Sequence, residues 1–160
     1  MVLSLRPVRI DDEEFLFQVY ASTRAEEMAI VPWNQEQKHA FLEMQFNAQR
    51  QSYLKEFPSA EYKIIEDDGV AAGRLIVDRS DQRILIIDIA LMPEHRRKGI
   101  GSSLINDLKS EAERTGKPLR LDVESFNPAY HLYDRLGFRK IDEMSFYWRL
   151  EWRANEEVAA

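Results

Sequence analysis

From residue 84 to residue 124 the chain reads as an apolar strand, a cation-rich glycine loop, an amphipathic helix and a second strand. Ile84, Leu85, Ile86, Ile87, Ile89 and Leu91 form the most apolar run in the sequence, broken by Asp88. A run without strict alternation predicts burial on both faces, hence a central strand. The helix is expected from about Gly101 to Thr115, with Leu104, Ile105, Leu108 and Ala112 as its buried stripe. Gly116 supplies a C-cap and Pro118 blocks continuation. Leu119 to Glu124 is the next strand. A strand, a helix and a strand in this order predict a right-handed crossover between parallel strands.

The flanking segments predict a sheet that is not all parallel. Leu3 to Val8 reads as a strand. Asp11-Asp12-Glu13-Glu14 opens a helix with acids at the positive end of its dipole, and Phe15, Leu16, Val19, Tyr20 and Thr23 recur at helical spacing. A second helix follows Pro32-Trp33-Asn34, with Asn34 and Gln37 as a capping box and Phe41, Leu42, Met44 and Phe46 as its apolar face. Glu61 to Glu66 and Val70 to Val77 form a hairpin about Asp67-Asp68-Gly69, with Gly73 as a bulge position. A short helix from about Pro128 to Arg135 ends at Gly137, and Phe138 to Ile141 and Ser145 to Trp152 close the chain as strands. The expectation is an α/β fold, with a mixed sheet and helices on both faces. No repeat or linker divides it, so residues 1–160 read as a single domain with a core over about 3–152 and a frayed tail at 153–160.

Composition removes several classes of function. No apolar run approaches the roughly 18 residues of a membrane span, and the N-terminus lacks a signal-peptide core. The sequence has no cysteine, so neither disulfides nor thiolate chemistry are available, and the expected location is cytoplasmic. His39, His95 and His131 are scattered without metal-ligand spacing, so no metal is expected. Net charge is −6, which argues against a nucleic-acid partner.

The loop Arg96-Arg97-Lys98-Gly99-Ile100-Gly101 carries the chemical information. Its glycines let a backbone approach a ligand, and the helix dipole adds partial positive charge where the cations already sit. Ser102 and Ser103 add hydroxyls in the first turn. Cations at a helix N-terminus are disfavoured unless an anion joins them, so the segment reads as a phosphate cradle. It is neither a Walker A loop nor a dinucleotide fingerprint, which needs a third glycine where Leu104 stands.

Arg96-x-x-Gly99-x-Gly101, after Ile89-Ala-Leu-Met-Pro93 and before an amphipathic helix, resembles the acetyl-CoA signature of the GNAT (GCN5-related N-acetyltransferase) superfamily. Asn127-Pro-Ala-Tyr-His-Leu-Tyr133-Asp-Arg-Leu-Gly-Phe138 resembles that family's second signature. The resemblance implies a mostly antiparallel sheet in which one parallel strand pair splays apart to admit pantetheine. It implies acetyl-CoA as co-substrate, without a metal, and direct transfer to a primary amine of a small molecule or peptide. By the same resemblance Leu91, with Ala90 or Met92, bonds pantetheine. Arg97, Lys98, Gly99, Ile100, Gly101 and Ser102 cradle the pyrophosphate, and Arg96 orders the loop. Asn127 contacts the cofactor and Tyr130 packs beside it.

Tyr133 matches the tyrosine that protonates the departing thiolate. Asp88 and Glu124 are the candidate bases, ahead of Asp122. For the acceptor, Trp33, Phe41, Gln45 and Gln49 are the candidates, with Gln45 and Gln49 on one helix face. The other reading of these residues is a CoA-binding sensor or scaffold without catalysis. Homodimerisation through the closing strands is compatible with the pattern.

Overall fold

The computed structural model describes residues 1–154; of the tail expected to fray, residues 155–160 lie outside these. The strands are β1 (Leu3–Pro7), β2 (Glu61–Asp67), β3 (Val70–Arg79), β4 (Ile84–Leu91), β5 (Leu119–Glu124), β6 (Arg139–Met144) and β7 (Tyr147–Trp152). The helices are α1 (Glu13–Thr23), α2 (Ala25–Ala29), α3 (Gln35–Glu56), α4 (Ile100–Thr115) and α5 (Ala129–Arg135). The strands form one mixed sheet in the order β1-β2-β3-β4-β5-β7-β6. β4 and β5 are parallel, as the crossover predicts, whereas β1–β2, β5–β7 and β7–β6 are antiparallel.

Two compact units make up the chain. The first is Met1–Ile76 with Ile89–Lys98, and the second is Val77–Asp88 with the described residues from Gly99 onward. In the first, Asn34 caps α3 by accepting from the Gln37 N–H at 2.8 Å, while the Gln37 side chain accepts from the Asn34 N–H at 3.0 Å. Leu42 and Phe46, one turn apart, pack with Tyr20 of α1. Met44 does not join that face. It stands two residues from each, nearly opposite on a helix, and is exposed.

Gly73 marks a close backbone approach. A Cβ there would lie 2.1 Å from the Ala90 carbonyl oxygen and 3.0 Å from the Leu91 Cα. Backbone cannot swing aside as a flexible side chain does. Gly73→Ala is therefore expected to cost about 3 kcal/mol, at the upper end of overpacking effects, measured by urea unfolding. A loss below about 1 kcal/mol would mean that this contact has slack.

Asp12 does more than complement a helix dipole. Its carboxylate takes two bonds from the Arg6 guanidinium, both at 2.8 Å, and one from the Arg9 N–H at 2.7 Å. The bonds from Arg6 outweigh desolvation and hold the Asp12 carboxyl at about 2, below its ordinary 3.8. Because the folded state binds this proton more weakly, the pair's contribution is present above the unfolded value and is lost as pH falls from about 3.8 through about 2. Asp12→Asn should lower stability at pH 6 by about 2 kcal/mol and flatten that acid limb, read from urea midpoints between about pH 2 and 6.

In the second unit, Ile100, Leu104, Ile105, Leu108 and Ala112 of α4 are buried, which is the anticipated stripe with Ile100 added. Gly116 ends the helix in the left-handed region at φ 69°. The last strand enters the sheet between β5 and β6. Burial explains that placement: Leu150, Glu151 and Trp152 of β7 are buried, while β6 is exposed from Arg139 to Glu143. Arg120 and Arg153 neutralise Glu151, with Nε bonds at 2.8 and 3.0 Å.

Candidate functional site

The turn into α4 is built without internal anion or cap. Arg97 and Gly99 have φ of 62° and 81°, and Gly99 is the N-cap residue. The first turn contains no acidic residue and no side chain caps it. The first helical bond runs from the Ser103 N–H to the Gly99 carbonyl at 3.0 Å. Among the described residues, the N–H groups from Arg97 to Ser102 have no hydrogen-bond partner. Left-handed residues between ordinary ones turn consecutive N–H groups to one side, the geometry of an anion nest.

The two glycines differ in why they are needed. Gly99 satisfies its own backbone, since a side chain at φ 81° is strained. Gly101 is helical, and a Cβ there would meet no atom within 4 Å. Among the described residues nothing requires glycine at 101, whereas a ligand lying against the backbone would.

The cations of the loop divide their work. Arg96 donates from Nε to the Leu91 carbonyl at 2.9 Å and from a terminal nitrogen to the Ser22 hydroxyl at 3.3 Å, so it ties the loop to the end of β4 and to α1. Arg97 and Lys98 are exposed, and Lys98 lies 3.9 Å from Asp67. Asp67, buried at the end of β2, also meets the His95 ring at 3.3 Å. Reading the sequence assigned Asp67 only to a turn. Its partners lie 28 and more residues away, and no local signal announces them. The Met92 N–H is committed to the Ala72 carbonyl at 2.8 Å.

The second unit holds the remaining donor-side candidates. The β4–β5 ladder pairs Ile84, Leu85 and Ile86 with Leu119, Arg120 and Leu121. Ile87 and Asp88 on one strand, and Asp122 to Glu124 on the other, lie beyond those pairs. β5 remains paired there to β7, so only one edge of the strand is released. Asn127 turns the chain into α5: its Oδ1 accepts from the Ala129 N–H at 2.9 Å, leaving Nδ2 without a partner among the described residues. Tyr130 packs edge-on against Trp148, with centroids 4.9 Å apart.

Tyr133 lies on α5 with its ring edge-on to Phe138. Burial, and then the negative charge of Asp88, push its phenol up to about 12. Tyr133 and Asp88 thus act on each other although 45 residues separate them. Asp122 is held by Arg149 at 3.0 Å. Glu124 is half-buried, and its carboxylate has no ion pair among the described residues.

The acceptor candidates all fall in the first unit. Trp33 sits edge-on to Phe41 with centroids 5.3 Å apart. Gln45 accepts from the Tyr20 hydroxyl at 3.3 Å, and Gln49 accepts from Arg74 at 2.8 Å. Each amide keeps its NH₂ group for another partner, while its oxygen is engaged.

Comparison with known proteins bears on this arrangement. Residues 19–138 match the family described as the acetyltransferase (GNAT) family. The chain is 40% identical to streptothricin acetyltransferase of Streptomyces lavendulae over 84 residues, 50% of this chain and 44% of that one. It therefore spans less than half the length of that relative. A candidate alanine N-acetyltransferase of ribosomal protein bS18 from Bacillus subtilis (strain 168) is 28% identical over 85% of this chain and 80% of its own. In fold, the chain resembles the PaiA N-acetyltransferase of Thermoplasma acidophilum, solved in complex with coenzyme A. That likeness has a TM-score of 0.71 at 18% identity, covering 96% of this chain and 99% of the other.

Proposed function

This chain belongs to the acetyltransferase (GNAT) family, and from that premise we propose that it transfers acetyl from acetyl-CoA directly to a primary amine of a small molecule or peptide. The observation that carries the reading is the start of α4, where unpartnered N–H groups, an uncapped dipole and a free approach at Gly101 coincide. These features suit a pyrophosphate, which accepts many hydrogen bonds and carries charge. Bound acetyl-CoA supplies an acetyl group activated as a thioester.

The chain's own residues have distinct tasks. N–H groups from Arg97 to Ser102 and the charges of Arg97 and Lys98 hold the phosphates, while Arg96 keeps the loop in register. Asn127 offers Nδ2 to the cofactor, and Tyr130 braces that end of α5. Leu91 and its neighbours bond pantetheine along the strand edge. Tyr133 holds a proton at Oη and delivers it to the leaving sulfur. A phenol pushed up to about 12 is fully protonated at neutral pH, so the donor form is always present. Glu124 is the better base of the two carboxylates, because Asp88 has other partners and acts electrostatically on Tyr133. A base that takes the amine's last proton needs a carboxylate free to accept it.

Trp33, Phe41, Gln45 and Gln49 are proposed to meet the acceptor. The relatives' names point to streptothricin in one case and a ribosomal-protein alanine in the other, so both acceptor classes belong in the test. CoA release should be followed with streptothricin, a peptide with N-terminal alanine, a polyamine and free lysine. Turnover with at least one is expected. Tight acetyl-CoA binding without turnover of any amine would support a CoA-binding sensor or scaffold instead.

A further inference from the structure

The first unit contains a cavity of about 340 Å³ whose lining includes neither the loop before α4 nor the end of β4. Its walls are mainly apolar, from Leu16 and Phe46 on the helices to Tyr62 and Ile76 on the strands. This is within the size range of small-molecule sites. Two features are unusual for an apolar void. Arg74 is over nine-tenths buried in its wall, with one nitrogen bonded to Gln49 at 2.8 Å. The Tyr62 hydroxyl is buried and has no hydrogen-bond partner among the described residues.

A buried hydroxyl without a partner is destabilising, and such groups call for an explanation. Burial raises the Tyr62 phenol above its ordinary range, and the charge of Arg74 opposes that rise. Both donors line the same cavity. Arg9, Arg50 and Lys63 also line the cavity, against the single carboxylate of Glu13. Arg50 is paired with Glu13 at 3.1 Å and Lys63 with Glu61 at 3.7 Å, and Arg74 has interactions beyond Gln49. Counted over the lining itself, four basic side chains stand against one acidic one. An apolar wall with buried donors and net positive charge complements one chemistry: a carboxylate on an apolar body.

We propose that this cavity is a second ligand site, separate from the acetyl-donor loop, that binds an amphiphilic carboxylate with its head toward Arg74 and Tyr62. The apolar tail would lie along Leu16, Phe46 and Ile76. Gln49, also proposed to meet the acceptor, lies in this wall, but the reading rests on Arg74, Tyr62 and the apolar lining and not on the acetyl-transfer assignment.

Isothermal titration of the whole chain with octanoate tests it, with octanol and octylamine as neutral and cationic comparators. Octanoate should bind, octanol more weakly, and octylamine not detectably. Arg74→Met keeps the side-chain stem and should weaken octanoate about tenfold or more, while octanol changes little. Leu54→Trp, at the partly exposed rim, should obstruct entry and abolish binding of both. Near-UV circular dichroism and a cooperative urea transition like those of the wild type show that Arg74→Met and Leu54→Trp are folded. Octylamine binding as well as octanoate would overturn the proposal, as would octanoate affinity unchanged in both folded variants. Absence of octanoate binding to the wild type would overturn it as well.

Discussion

Gly101→Trp is expected to abolish acetyl-CoA binding while leaving the chain folded. A side chain grown from 101 enters open space, so the protein itself pays little for it. That same space is where a pyrophosphate must approach the N–H groups of Ile100, Gly101 and Ser102. Losing two charge-assisted hydrogen bonds costs roughly 3–6 kcal/mol, or about 10²- to 10⁴-fold in affinity. Titration calorimetry gives the affinity, and the urea midpoint reports on the fold. An unchanged dissociation constant in a folded Gly101→Trp would remove the cradle assignment. Gly73→Ala makes the contrast, because there the glycine serves the fold: its Cβ would strike the Ala90 carbonyl.

Tyr133→Phe should separate chemistry from binding. Removing the hydroxyl leaves the ring against Phe138, so the local packing survives. Loss of a positioned acid typically costs 10²- to 10⁴-fold, and turnover should fall by about a hundredfold with acetyl-CoA affinity within about twofold of wild type. The pH profile adds a second readout. Burial and the Asp88 charge both oppose the phenolate, so ionisation is displaced upward, to about 12. Turnover limited by the chemical step should therefore show no alkaline loss attributable to Tyr133 up to about pH 11, although an ordinary phenol with a pKa of about 10 would already be mostly ionised. Asp88→Asn should bring that limb down, because it removes one of the two causes. Wild-type turnover in Tyr133→Phe, measured where chemistry limits the rate, would exclude the tyrosine from the mechanism.

Glu124 and Asp88 are distinguished by the same means. Glu124→Gln removes the carboxylate proposed to accept the amine's proton, so it should lower turnover and leave the alkaline limb unchanged. Asp88→Asn should act chiefly through Tyr133. Equal effects of the two substitutions on the alkaline limb would undo this division.

Local patterns were legible in the chain wherever the physics is local. The α3 cap rests on Asn34 and Gln37, three residues apart, and the structure forms both bonds. The α4 stripe, its glycine stop and the crossover to β5 rest on spacing within some forty residues. Met44 lies off the buried face of α3 because that face is narrow, so apolar identity says little about direction there. The short helix α2 carries no sequence signal for a similar reason: it buries no residue, and no apolar period marks it.

Contacts between residues distant in sequence were not legible. That Asp67 meets His95, that Asp122 is claimed by Arg149, and that Asp88 bears on the Tyr133 phenol depend on which strands and helices become neighbours. The insertion of β7 between β5 and β6 was decided by which face of the closing hairpin could be buried. The cavity beside Arg74 and Tyr62 is likewise assembled from the segment after β1, α1, α3, β2 and β3. By itself the sequence determined the glycine-bearing turn before α4, because a helix N-terminus, its dipole and its glycines belong to one short stretch of backbone. Only the tertiary structure decided which carboxylates are free and which tyrosine titrates late, because burial and distant charge are properties of the folded chain.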